Sequence, residues 1–156
     1  MNKVIVDQML GSLAKWLRLL GVDTYFANNT IMDEALLQIA KSENRILITR
    51  DKELIIRATK HKISHISIHS TDLDTQLRTV LKQIPIDTRK LFSRCTICNT
   101  PVHNVEKISV KQFIPQKVLS NKDEYWYCPT CNKYYWQGSH YEKIQKKILT
   151  ILDSKL

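Results

Sequence analysis

Only three glycines and four prolines occur in the 156 residues of this chain. That scarcity excludes collagen-like, Gly/Ser-linker and proline-rich segments, so the chain is expected to fold along nearly its whole length. No hydrophobic run approaches the roughly 20 residues of a membrane-spanning helix. The first apolar run, Val4-Ile5-Val6, ends at Asp7 and is too short for a signal-peptide core. A cytoplasmic protein with no membrane association is the expectation. Cysteine is missing from the first part of the chain, and Cys95, Cys98, Cys128 and Cys131 cluster late. Such clustering excludes a chain-wide disulfide framework and points to a metal site. Acids are also in deficit, 15 against 24 lysines and arginines, for a net charge of +9. The imbalance favours a polyanionic partner, nucleic acid before membrane.

What is present is an alternation of two periods. Residues 45–54, RILITRDKEL, read as a short apolar strand that ends at Thr49-Arg50-Asp51 and runs into a helix over 51–60. Asp51 stands where the strand stops and is placed to cap that helix. Residues 3–7 form a first strand ending in Asp7, followed by a helix over 9–20 whose Leu10, Leu13, Ala14, Leu17 and Leu20 share one face. A second strand is expected at 23–26, a helix opening on Asp33-Glu34, a fourth strand at 64–68, and a helix from Thr71-Asp72 to about 83. This βαβαβαβα order predicts a mainly parallel sheet covered by helices. Pro85 stops the pattern, which divides the chain into a domain at 1–88 and a second module at 93–156.

Two constellations carry chemistry. Cys95-Thr-Ile-Cys98 and Cys128-Pro-Thr-Cys131 supply four thiolates, the ligand set of a structural Zn²⁺ site. Strands are expected at 107–113 and 125–127 between them, making a zinc ribbon. Four protein ligands leave no open position, so this zinc should fold the module and not catalyse. The second constellation is acidic. Strands one and three of a parallel sheet end at the same edge, and helix two starts there. Asp7, Asp51 and Asp33, or Glu34 beside it, thus converge on one rim, with Asp72 a possible fourth. Crowded carboxylates call for a hard cation such as Mg²⁺ or Mn²⁺, able to polarise a phosphodiester and acidify a water. Each acid is equally a plausible helix cap. Lys15, Arg18 and Arg50 are candidate phosphate contacts near that rim. Tyr134-Tyr135-Trp136 in the tail could stack on single-stranded nucleic acid or pack the module onto its neighbour.

Together, VDQMLGSLAKWLRLLGVDT at 6–24, DEALLQIA at 33–40, RILITRDKEL, DTQL at 74–77, the cysteine pairs and YYWQGSHYEKI at 134–144 span nearly the whole sequence. In these stretches the chain resembles the PIN-like ribonucleases that carry a C-terminal zinc ribbon, the Mut-seven C-terminal RNase domain family. The resemblance implies a three-layer α/β/α fold and metal-dependent RNA cleavage; an endoribonuclease acting on single-stranded or structured RNA is the main reading, and the sequence does not itself distinguish endo- from exonucleolytic cleavage. It implies Asp7, Asp33 and Asp51 as the metal-binding acids, with Glu34 as an alternative to Asp33 and a loose match at Asp72. Lys15 replaces a frequent arginine, which keeps charge but loses the bidentate fork. Small PIN-type nucleases often resemble toxins held in check by an antitoxin-like inhibitor, but nothing in this sequence shows such a partner. Two alternatives stand beside this reading: a non-catalytic RNA-binding zinc-ribbon protein, and a protein-interaction module.

Overall fold

The computed structural model describes residues 2–153. Four strands, β1 (Lys3–Val6), β2 (Asp23–Phe26), β3 (Ile46–Thr49) and β4 (His65–Ser67), form a parallel sheet in the order β2-β1-β3-β4. Helices α1 (Gly11–Leu19), α2 (Asp33–Ser42), α3 (Lys52–Lys60) and α4 (Leu73–Leu81) connect and flank them. Alternation along the strands sorts side chains onto two faces. Val4, Val6, Ile48 and Ile66 pack with α1 and α4 residues such as Leu13, Leu17, Leu77 and Val80. Ile5 and Leu47 point the other way, onto Leu36, Leu37, Leu54 and Ala58 of α2 and α3. The result is the expected α/β/α sandwich. The first helix starts later than its periodicity implies, because residues Gln8–Leu10 form a 3-10 turn first.

After a second 3-10 turn at Thr88–Lys90, strands β5 (His103–Val105), β6 (Tyr125–Cys128) and β7 (Lys133–Trp136) make an antiparallel sheet in sequence order. The strand expected at 107–113 does not form. Those residues instead hold the short helix α5 (Lys107–Val110) and its continuation, with α6 (Gln116–Asn121) following. The reason is packing: Val110 and Ile114 are one helical turn apart, and with Leu119 they cover the wholly buried Tyr125. The strand's place beside β6 is taken by His103–Val105.

The last helix, α7 (Ser139–Asp153), returns to the parallel sheet's domain. Its Ile148 and Ile151 are buried in the same cluster as Val4 and Leu13. Lys147 anchors it, with Nζ 2.8 Å from Asp74 and 5.2 Å from the Trp16 ring centroid. Gly21 marks a second crossing. Its φ of +78° suits glycine, and a Cβ there would collide with the Lys90 carbonyl. The connector therefore runs directly over the end of α1, where the Phe92 amide donates to the Leu19 carbonyl at 2.8 Å. Among the described residues no helix is long and apolar enough to cross a membrane.

Candidate acidic cleft and cysteine cluster

Parallel pairing of β1 with β3 fixes the acidic end of the sheet. Val6 faces Ile48 in register, so the next residues, Asp7 and Thr49, emerge side by side. Asp7 is 5% exposed. Its Oδ1 accepts from the Met9 amide at 2.7 Å, which starts the 3-10 turn. Its Oδ2 accepts from the Thr49 hydroxyl and, at 3.3 Å, from the Arg50 amide. Thr49 Oγ1 in turn accepts from the Asp51 amide at 2.9 Å. A buried hydroxyl thus links the two strand-end acids. The sequence signal for it was the T-x-D spacing, from which only the aspartate stood out as a candidate.

Asp51 caps α3 through Oδ1, which accepts from the Glu53 and Leu54 amides at 2.8 and 3.1 Å. It is exposed and, with Asp7 and Asp33, lines one small open cleft. Gln8, Met9, Asn28 and Ile31 complete the rim. Cap and cleft residue are therefore compatible roles for one side chain. Among the described residues no ion pair reaches Asp7 or Asp51. Their charge is met only by hydrogen-bond donors, an arrangement that favours an added cation. The cleft's oxygen-only donors suit a hard divalent ion in kind. The three carboxylates nevertheless share a cleft without closing on a single point: among the described residues, only the four cysteines bring three or more such ligand atoms within 4.8 Å of one another.

The other acids separate. Arg57 of α3 reaches across to the first turn of α2, with guanidinium nitrogens 3.3 Å from Asp33 Oδ2 and 2.6 Å from Glu34 Oε2. Glu34 holds the closer of these contacts and does not line the cleft, whereas Asp33 does. Asp72 lies outside it too, capping α4 through an Oδ2 that accepts from the Thr75 amide and hydroxyl. Those two bonds hold its carboxyl below the ordinary carboxylate value. Strand order explains the separation, since β4 is the sheet edge beyond β3. Arg50 is half-buried beside Asp7, and Lys15 is exposed on α1.

Arg18 requires correction. Far from offering itself to phosphate, it is 7% exposed. Its guanidinium donates to the carbonyls of Thr24, Thr96 and Ile97 at 3.1, 3.0 and 2.7 Å. Because α1 carries the chain from the acid end of the sheet back to the strand starts, Arg18 meets the first cysteine loop there. Burial pulls its pKa down, while the nearby thiols and Asp23 pull it up. Arg18→Met is expected to cost about 3 kcal/mol, because it leaves three carbonyls short of a donor. Arg18→Lys should recover little, since one ammonium cannot reproduce the fork. Urea unfolding at neutral pH checks both.

Asp23 completes this joint. Its Oδ1 accepts from Arg45 at 2.8 Å and Asn99 at 2.9 Å, and Arg94 lies 3.6 Å from Oδ2. Burial pushes the Asp23 carboxyl up, but the Arg45 and Asn99 bonds and the two arginine charges outweigh it, so its pKa is lowered. A depressed folded-state pKa means stability that is present above the unfolded value, near 4, and lost as pH falls through the folded one. Asp23→Asn should cost about 3 kcal/mol at pH 7, from breaking a largely buried ion pair. Its disadvantage against wild type should shrink below about pH 4 in acid-unfolding curves.

The four cysteines meet as their spacing predicts. Cys95 and Cys128 are buried, and Cys98 and Cys131 partly so. All four sulfurs fall within 4.8 Å of one another, with Cys98 3.4 Å from Cys128. An all-thiolate donor set of this size fits Zn²⁺, an ion that four such ligands hold tetrahedrally. The Tyr135 hydroxyl lies 3.0 Å from Cys95 Sγ, an outer contact that the sequence did not announce. Burial pushes the Cys98 thiol up, but bonds from the Thr100 side chain and backbone outweigh it and bring it to about 6. Hydrogen bonding to Cys98 pushes Cys131 up to about 12. His103 and His140 are exposed and lie outside this cluster.

Comparison with known proteins agrees with this architecture. The Mut7-C RNAse domain family matches residues 2–148. The exonuclease mut-7 homolog of Homo sapiens is 32% identical over 101 residues, which is 62% of this chain and 12% of that protein. The family match runs through the acid-ended strands and both cysteine pairs into the final helix, and so the chain belongs to the Mut7-C RNase domain family.

Proposed function

We propose that this protein is a metal-dependent ribonuclease that hydrolyses RNA phosphodiester bonds at the Asp7–Asp33–Asp51 cleft, most simply as an endonuclease. The carrying observation is Asp7, a nearly buried carboxylate without an ion-pair partner among the described residues, sharing an open cleft with two further acids. Membership of an RNase domain family supports RNA as the substrate class. The exonuclease name belongs to a protein of which this chain matches 12%, so the mode of cleavage is argued from the site alone. The cleft is open and lies where β1 and β3 end, beyond the helices that cover the two faces of the sheet.

Asp7, Asp33 and Asp51 are the residues that would hold Mg²⁺ or Mn²⁺, which would polarise the phosphodiester and stabilise the leaving oxygen. Thr49 keeps the Asp7 carboxylate oriented and fixes the Asp51 backbone beside it. Arg50 supplies a cation next to the acids, and Lys15 adds one on α1. Arg57 holds Asp33 and Glu34 in place until the cation arrives. The structural Zn²⁺ at Cys95, Cys98, Cys128 and Cys131 keeps the second module folded and does no chemistry. Cleavage of an end-labelled single-stranded RNA with Mn²⁺, with Mg²⁺ and without either tests the reading. Binding without cleavage in any metal would instead make the chain an RNA-binding module.

A further inference from the structure

Three aromatic rings of the second module form a row that the hydrophobic core only partly absorbs. Phe113 lies on Tyr134 with ring centroids 5.3 Å apart and planes 14° from parallel. Tyr134 meets its cross-strand partner Tyr127 at 4.9 Å. Exposed His103 stands opposite Tyr127 on β5 and so shares that face of the sheet. Phe113 is 55% exposed. Tyr134 and Trp136 both pack in part against the small core around the wholly buried Tyr125, and Tyr135 bonds Cys95, which leaves Phe113 the most exposed ring of the row.

We infer that the Phe113–Tyr134–Tyr127 row is a stacking platform for the bases of single-stranded RNA, separate from the cleavage cleft. This rests on the ribonuclease reading and adds a second holding surface to it. Ring faces already fixed in a row lose little freedom when a base stacks on them, and such stacking is worth about 1–3 kcal/mol per base. The surroundings are electropositive. Residues 93–156 carry ten lysines and arginines against five acids, and exposed Lys111 and Lys133 are close in sequence to Phe113 and Tyr134. A single strand needs both features, ring faces and cations, in one place. Position in the fold separates the two surfaces. The cysteine loop docks where β2 begins, at Asp23 and Thr24, whereas the acids stand where β1 and β3 end. The platform therefore acts on strands long enough to span both.

The test uses the full-length, zinc-loaded protein and a fluorescein-labelled oligouridylate roughly twenty nucleotides long, followed by anisotropy without a cleavage-supporting metal. Phe113→Ala should weaken binding about tenfold, and Phe113→Trp should retain it. Against wild type, whose Trp16, Trp126 and Trp136 also emit, Phe113→Trp should show an additional loss of emission as the RNA binds, a signature of stacking that a purely structural role would not give. Unchanged affinity in Phe113→Ala, or no additional loss of emission in Phe113→Trp, would overturn the platform. Wild-type cleavage of a short RNA is scored separately, so the ribonuclease reading can survive that result. A wild type that neither binds nor cleaves RNA would sink both.

Discussion

Asp51→Asn is expected to slow RNA cleavage by at least about 100-fold while leaving the fold nearly as stable as before. The two effects separate because the side chain does two jobs with different requirements. As a helix cap, Asp51 needs only an acceptor oxygen for the Glu53 and Leu54 amides. Asparagine caps about as well as aspartate, so the stability change should stay within about 0.5 kcal/mol. As a ligand for a divalent cation it needs its charge, which asparagine lacks. Losing a share of metal-borne transition-state stabilisation, about 3 kcal/mol or more, corresponds to the stated rate. Asp51→Ala is the useful contrast, since it should lose the cap as well, at about 1 kcal/mol. Asp7→Asn should be equally inactive but less stable, because its amide nitrogen cannot accept the Arg50 and Thr49 donors that Oδ2 now takes. Single-turnover cleavage beside urea unfolding for the three variants gives the comparison. Wild-type rates in folded Asp51→Asn would remove the acidic cleft from the chemistry and leave its carboxylates as caps.

Stripping zinc, or replacing Cys98 by serine, should unfold the second module and weaken the first with it. Thiolate zinc sites supply about 10–16 kcal/mol in small zinc-finger peptides, comparable to the whole stability of a domain. The module's own core is small, centred on Val110, Ile114, Leu119 and Tyr125. It has little to fall back on. Damage should spread because the two segments are joined in three places. Arg18 grips the Thr96 and Ile97 carbonyls, Asn99 bonds Asp23 and the Thr24 amide, and α7 places Ile148 and Ile151 in the main core. A loss of about 5 kcal/mol would lower the melting temperature by roughly 10–20 °C in a chain of this size. Thermal melts with a zinc chelator, then with zinc restored, provide the measurement. A chelated protein that melts at the wild-type temperature would mean that the cysteines are dispensable to the fold.

Local order was legible in the residues themselves. Apolar runs at 3–7 and 45–49, helical spacing through 9–20 and the acids at strand ends dictate the parallel sheet and bring Asp7 and Asp51 to one edge. Two CxxC pairs dictate the cysteine cluster, because four thiolates in that spacing have few other uses. The signals for these features are local, periodicity within one or two turns and the spacing within each CxxC pair, although the contacts they lead to are not.

Other decisions belonged to the tertiary structure. Arg18 and Arg50 are both cations near the ends of elements, and nothing local distinguishes them. Only the arrival of Thr96 and Ile97, nearly eighty residues away, turns Arg18 into a buried tie. Asp72 and Asp51 are both helix caps after strands, yet one lies at the sheet edge and the other in the cleft, a difference set by strand order. Residues 107–113 have strand propensity, but the need to cover Tyr125 makes Lys107–Val110 a helix and the rest a turn. Glu34 and Asp33 are adjacent in sequence and both pair with Arg57 reaching over from α3, yet only Asp33 lines the cleft. In each case the deciding energy is burial or pairing of a group with a partner distant along the chain. Local spacing carries no record of that partner, so only the folded chain could choose.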